Sequence, residues 1–212
     1  MNKYLIIIFA YFSLLSFQIT AQNNFKPMKD TVTFKKKVSD NGKKINTIES
    51  NFVQEKFLNV MSEKIISKGY FCFKKENNLR WEYTEPIKYV IVINKEKMFI
   101  KSNNKVNKFD IKSNKMFQSI NDLMISSVHG EIISNKDFKN IYLENDKYYL
   151  VELTPLNKQT KDIFKKINIY VDKQDYSVIK IKLIELSDDY TSIDFINHKL
   201  NGILKDEKFS IN

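Results

Sequence analysis

Two neighbouring stretches decide the fold: Ile65-Ile66-Ser67-Lys68-Gly69-Tyr70-Phe71-Cys72-Phe73, and Leu79-Arg80-Trp81-Glu82-Tyr83-Thr84-Glu85-Pro86. In the first, alternation puts Ile65, Phe71 and Phe73 on one face and Lys68, Tyr70 and Lys74 on the other. In the second, Leu79, Trp81 and Tyr83 share a face, while Arg80 and Glu82 share the opposite one, close enough to pair. A period of two is the signature of a strand with one face turned to a core. The polar residues between the two stretches read as a turn, so the strands are antiparallel neighbours.

The same pattern extends outward in both directions. Segments 47–57, 63–74, 79–84, 88–94, 97–101 and 105–111 are short, rich in Ile, Val, Phe and Tyr, and separated by polar turns. Further strands are predicted at 138–144, 148–154, 165–172, 177–186 and 190–197, with Lys173-Gln174-Asp175 as a hairpin turn. Two helices interrupt the pattern. Met28 to Lys44 follows a short polar leader and reads as an amphipathic helix, with lysines in its second half where cations suit the helix dipole. Met116, Ile120, Leu123, Met124 and Val128 fall at helical spacing in mid-chain. The expected fold is mainly β with helices: an antiparallel sheet of ten or eleven strands, one N-terminal helix and one helix inserted between two β-runs. No repeat, low-complexity tract or interdomain linker divides it.

Composition excludes several classes. The chain has 212 residues, 42% hydrophobic and 28% charged, enough for one domain with a sizeable core. A single cysteine, Cys72, excludes an internal disulfide framework and an all-Cys metal site. The isolated glycines Gly42, Gly69, Gly130 and Gly202 exclude a Gly-rich phosphate loop. The net charge of +10 comes almost wholly from lysine, with Arg80 the one arginine, as expected of an AT-rich coding sequence. Such charge could also aid approach to anionic membranes or acidic partners.

The N-terminus sets the expected compartment. Lys3, the apolar run Leu5 to Phe17, and Ile19-Thr20-Ala21 before Gln22 have the layout of a cleavable secretory signal peptide over residues 1–21. The apolar run is too short to span a bilayer, which takes about 20 residues. The mature domain is then 22–212: soluble, without a cysteine at its new N-terminus to carry lipid, and located in a bacterial periplasm. Nucleic acid is not an expected partner there.

Little in the chain is organised for catalysis, and no enzyme is expected. His129 and His198 have neither each other nor Cys72 at metal-ligand spacing, so no metal or other cofactor is expected. The acidic pairs Asp188-Asp189 and Glu49…Glu55 read as solvated faces. The aromatics say more: sixteen Phe, eleven Tyr and one Trp fall mostly on alternating strand positions. They fit either a sheet with an aromatic core or a sheet curved around an apolar cavity. Two features favour the cavity. The mid-chain helix carries flexible methionines, suited to repacking around varied apolar ligands. The segment 79–86 also concentrates the one Trp, the one Arg and a Pro.

Three segments in order, the last of them within this one, resemble the LolA family of periplasmic outer-membrane lipoprotein carriers. They are Thr47-Ile48-x-x-x-Phe52-x-Gln54, Gly69-x-Phe71 and Arg80-Trp81-x-Tyr83-x-x-Pro86, continued by Ile91-Val92-Ile93-Asn94, by Tyr190 to Phe195, and by Asn201 and Phe209. The resemblance covers roughly residues 30–212. It implies a half-open antiparallel β-barrel whose apolar interior holds the acyl chains of a lipoprotein. The implied cavity residues are Phe52, Phe71, Phe73, Leu79, Trp81, Tyr83, Ile91 and Phe99. The implied lid face is Met116, Ile120, Leu123 and Met124. Family members often carry a basic residue followed by Pro before the Trp strand, where the basic residue latches the lid. Here Lys75-Glu76 stands in that place, which makes Lys75 the candidate latch, and a Pro-Gly-containing C-terminal extension common in the family is missing.

The implied partners are lipoprotein acyl chains, an inner-membrane lipoprotein-releasing ABC exporter and an outer-membrane receptor, with the carrier acting as a monomer. The physics is consistent. A buried methylene is worth about 0.8 kcal/mol, so each acyl chain contributes on the order of 10 kcal/mol. Such chains cross water only when enclosed. The alternatives are a LolA-like binder of another acylated molecule, such as a glycolipid or pigment lipid, and a structural or sensor β-protein.

Overall fold

The computed structural model describes residues 24–103, 105–113 and 115–211, without the side chains of 115–117 and 120. Residues 1–21, expected to be a signal peptide, therefore lie outside the described residues, as do the side chains of Met116 and Ile120.

Twelve strands form one sheet: β1 (Lys26–Pro27), β2 (Thr47–Leu58), β3 (Glu63–Lys74), β4 (Asn78–Glu85), β5 (Tyr89–Asn94), β6 (Lys97–Ser102), β7 (Lys105–Asp110), β8 (Phe138–Glu144), β9 (Tyr148–Pro155), β10 (Phe164–Asp172), β11 (Val178–Glu185) and β12 (Tyr190–Leu200). Their order is β1-β8-β9-β10-β11-β12-β2-β3-β4-β5-β6-β7, antiparallel throughout, and the end strands β1 and β7 are not joined. The sheet is thus open, as expected of a half-open barrel. All eleven predicted strands are present. The twelfth, β1, is a two-residue pairing of Lys26 and Pro27 with β8, within the stretch expected to be a polar leader.

Helix α1 (Thr31–Lys44) starts three residues later than expected, because the Asp30 carboxylate accepts a hydrogen bond from the Thr33 N–H at 2.9 Å and caps it. Helix α2 (Lys115–Val128) is the predicted mid-chain helix. A four-residue helix α3 (Lys158–Lys161) was not foreseen. Helices α1 and α2 lie on one face of the sheet. Phe34 and Val38 of α1 pack with Leu123 of α2 on Val151, Leu153, Ile167, Ile169 and Val171. Met124, Ile125 and Val128 of α2 pack over Phe52, Phe71, Phe73, Leu79, Trp81 and Tyr83.

The opposite face of the sheet is also apolar in its middle. Cys72 and Val92 are covered there by Leu204 and Phe209 of the C-terminal segment. Burial raises the Cys72 thiol to about 11, so it stays a protonated, packed side chain. Arg80 Nε donates to Glu82 Oε2 at 2.8 Å on this face, as the two-residue spacing predicts. Gly69 has a local reason to be glycine. It sits opposite Phe52 in β2 and Tyr83 in β4, and a Cβ there would lie 2.0 Å from the Glu82 carbonyl oxygen and 2.6 Å from the Phe52 ring.

Candidate functional site

The face under α2 holds two adjoining apolar cavities. The larger, of about 260 Å³, is lined by Leu79, Trp81 and Tyr83 of β4, Ile91 and Ile93 of β5, Met98 and Ile100 of β6, and Asn121 and Met124 of α2. The smaller, of about 50 Å³, lies between α1, α2 and the sheet, with Val38, Gly42, Phe71, Met124, Val128 and Phe195 in its wall. Met124 belongs to both and forms part of the partition between them. A flexible thioether at that point lets the partition shift without breaking a rigid packing.

Each expected cavity residue has a definite place. Leu79, Trp81, Tyr83 and Ile91 line the larger cavity, and Phe71 lines the smaller. Phe52 and Phe73 back the lining instead. The Phe52 ring lies 5.0 Å from both Trp81 and Tyr83, and Phe73 meets the His129 ring edge-on at 5.8 Å. Phe99 is a correction: it packs with Cys72, Val92 and Phe209 on the opposite face. Its neighbours Met98 and Ile100 face the cavity in its place, since side chains alternate across the sheet.

The helix residues divide similarly. Leu123 is buried among the α1-side cluster, whereas Met124 faces the cavities. Lys75 is the second correction. Its Nζ donates to the Lys43 carbonyl in the last turn of α1 at 3.1 Å, so among the described residues it holds α1 rather than α2. What joins the two helices is a glycine contact. A Cβ on Gly42 would lie 2.1 Å from the His129 carbonyl oxygen, and one on Gly130 (φ +68°) would lie 2.6 Å from Val38 Cγ1. Two isolated glycines carry no periodicity, so only their meeting in space reveals the contact.

The polar groups around the cavities are few. Tyr83 donates from its hydroxyl to Gln54 Oε1 at 2.8 Å and stacks on Tyr89 with centroids 4.2 Å apart. Burial first, and Tyr89 second, push the Tyr83 phenol well above its ordinary value, so it remains a donor. Beside the smaller cavity, His198 Nε2 lies 3.4 Å from Ser177 Oγ and 3.2 Å from Asp175 Oδ2. Burial opposes the Asp175 charge, but hydrogen bonds from Ser177 and His198 outweigh it and keep its carboxyl below the usual range. One ring nitrogen faces both partners and the Ser177 hydroxyl donates to Asp175, so this is not the relay of a nucleophile, base and orienter. Among the described residues no group of three His, Cys, Asp or Glu could hold a metal, and no helix is long and apolar enough to cross a membrane.

The site is thus an apolar hollow between an open antiparallel sheet and two helices. Residues 43–212 match the family described as outer membrane lipoprotein carrier protein LolA, and the chain belongs to that family. Members of this family are carrier and binding proteins of the bacterial envelope. No curated protein matches the chain in sequence. Among solved structures it is similar to an uncharacterized conserved protein from Thermus thermophilus, with 8% identity, 85% of this chain and 93% of that one covered, and a TM-score of 0.52. It is also similar to a LolA superfamily protein from Nitrosomonas europaea (12% identity, 84% and 96% covered, TM-score 0.43). A DUF1329 family protein from Desulfovibrio piger is comparable (13% identity, 84% and 96% covered, TM-score 0.44).

Proposed function

We propose that this protein is a periplasmic lipoprotein carrier. In this reading it is exported by cleavage after Ala21, works as a monomer without cofactor or catalysis, takes lipoproteins from an inner-membrane ABC exporter and passes them to an outer-membrane receptor. One observation carries the reading: the cavity between Trp81 and Met124 is apolar, continuous with the helix packing, and roofed by a helix rather than by the sheet itself.

Magnitudes support a lid that gives way to cargo. The larger cavity, about 260 Å³, is below the roughly 300–1,000 Å³ of sites that enclose a small ligand. An acyl chain therefore needs α2 to move. The side chains that hold α2 down, Leu123, Met124, Ile125 and Val128, contribute together on the order of 5–10 kcal/mol. That is comparable with the burial of one acyl chain. Cargo and lid thus compete for the same apolar surface on nearly equal terms, which suits a carrier that must both load and release.

The test is to express the full chain with its leader, release the periplasm by osmotic shock, and identify co-purified lipids and lipoproteins by mass spectrometry. The expected result is a protein beginning near Gln22 with acylated cargo, whose binding also shifts Trp81 fluorescence. A protein that retains Met1, or binds no acylated molecule, would overturn the reading. Recovery of a free glycolipid or pigment lipid in place of lipoproteins would replace the cargo and leave the binding mode standing.

A further inference from the structure

The hairpin of β2 and β3 reaches past the strands beside it. The pairing of β3 with β4 ends at Lys68 and Glu85, so among the described residues Glu63 to Ser67 run on with no strand on that side. On the other side β12 begins level with Phe57, and the Asn59 N–H donates to Asp189 Oδ1 at 2.8 Å. Val60 and Met61 extend beyond both neighbours, 93% and 57% exposed. Leu58 to Ser62 carries no charge, and behind it both faces stay apolar. Alternation from the buried Phe52 puts Leu58 and Ile65 on the cavity side, Phe57 and Ile66 on the opposite side. Polarity then rises in layers. Tyr190 stacks on Phe57 with centroids 5.2 Å apart, and Lys182 Nζ lies 3.7 Å over the Tyr190 ring. The nearby carboxylates are engaged, Glu55 with Lys64, Glu185 with Lys56 and Asp188 with Lys165, while Glu63 is exposed.

We propose that this tip anchors the protein to the surface of a lipid bilayer, with Val60 and Met61 entering the boundary between headgroups and acyl chains. A protein partner covers one face of a hairpin and leaves the other in water. A bilayer surrounds both, and this hairpin is apolar on both and at its end. The layering has the right depth. At about 3.3 Å per residue the tip stands roughly 10 Å beyond the Phe57–Tyr190 pair, and elements that lie in the interface sink about 5–10 Å into it. The aromatic pair then rests at headgroup level, where amphipathic rings settle, and the lysine stems reach back to the phosphates. The net charge of +10 strengthens attraction to an anionic surface, but the apolar tip fixes which end makes contact. Gln54, on the cavity side of β2, lines the larger cavity, so docking turns that end of the cavity toward the bilayer. This goes beyond the carrier reading, since a protein that carries cargo through water need not itself touch a membrane.

The experiment uses residues 22–212, which hold every described element, because the apolar run before them would itself bind lipid. The vesicles are phosphatidylcholine alone, or phosphatidylcholine mixed equally with phosphatidylglycerol. Val60→Cys carries an environment-sensitive fluorophore at the tip, and Lys95→Cys carries the same one in the β5–β6 turn at the opposite end of the sheet. Cys72 is fully buried and stays unlabelled. The tip fluorophore is expected to shift to the blue on both vesicles, and the one at position 95 to stay unchanged. In sedimentation the unlabelled wild type should bind both vesicles, the mixed ones more tightly. Val60→Ser combined with Met61→Ser should bind each about tenfold more weakly, with an unchanged melting temperature because both side chains already face water. A wild type that stays off both vesicles overturns the inference. So does binding that survives the double substitution, or a tip fluorophore that stays in water on bound protein, since another surface then makes the contact. Cargo binding is titrated separately through Trp81 fluorescence. Failure to dock therefore leaves the carrier reading standing, and a cavity that takes no acylated peptide overturns that reading alone.

Discussion

Replacing Leu123 by Ala separates a movable lid from a fixed core. Leu123 is 6% exposed and packs with Phe34, Val38, Ile132 and Phe138. Truncating a buried leucine removes about 3 kcal/mol, combining lost transfer energy and the cavity left behind. In a chain of this size that lowers the melting temperature by roughly 6–12 °C whatever the residue does. Binding tells the two roles apart. If Leu123 makes its contacts only when α2 lies on the sheet, the loss falls wholly on the closed state. At 1.4 kcal/mol per decade the open population then rises roughly 100-fold, and apparent affinity for an acylated peptide tightens by up to that factor. Titration followed by Trp81 fluorescence measures the affinity, and hydrogen exchange measures the protection of residues 118–128. A lowered melting temperature with unchanged affinity, together with α2 amides as protected as those of β2, would refute the lid.

Two further outcomes are expected. Gly69→Ala should be severely destabilising, by several kcal/mol, since its Cβ meets backbone at 2.0 Å and the ring of Phe52; chemical denaturation measures this, and a change within about 0.5 kcal/mol, the range of an ordinary surface substitution, would contradict the packing described. The C-terminal segment should be held in a pH-dependent way by Glu49, Tyr70 and Lys208, where Lys208 Nζ lies 3.0 Å from Glu49 Oε2 and 3.1 Å from Tyr70 Oη. Hydrogen bonds from Tyr70 and Lys208 hold Glu49 below its ordinary 4.5, so its contribution is present above that value and fades as pH falls through the lower folded value. Hydrogen bonds to Tyr70 and Glu49 raise Lys208 to about 12, so its share is intact below 10.5 and lost as pH rises through about 12. Burial, with the bond to Glu49, also raises Tyr70 from 10.0 to about 12, which acts in the same direction. The stability difference between wild type and Lys208→Met, measured by thermal melts across pH, should be small, as for any exposed pair, and should shrink at both extremes; a difference that grows in either would contradict the assignment.

The sequence by itself determined the strands. Alternation at 63–74 and 79–85 reflects faces with different surroundings, and it placed Leu79, Trp81 and Tyr83 on the cavity side and paired Arg80 with Glu82. Helical spacing located α2, and Met124 on it does line the hollow. The tertiary structure decided what alternation could not carry. Met98-Phe99-Ile100 is apolar without interruption because both faces of β6 are covered, one by the cavity wall and the other by the packing around Phe209. Only the pairing of Val92 with Phe99 and Ile93 with Met98 settles which side chain faces the hollow. Strand β1 exists because β8 offers it an edge, and two residues have no pattern of their own. Lys75 has a flexible chain whose partner is whichever carbonyl the fold brings near, here that of Lys43. The close approach of Gly42 to His129 joins residues far apart along the chain. Periodicity reports which way a side chain points, but contact between distant segments is a property of the packed chain.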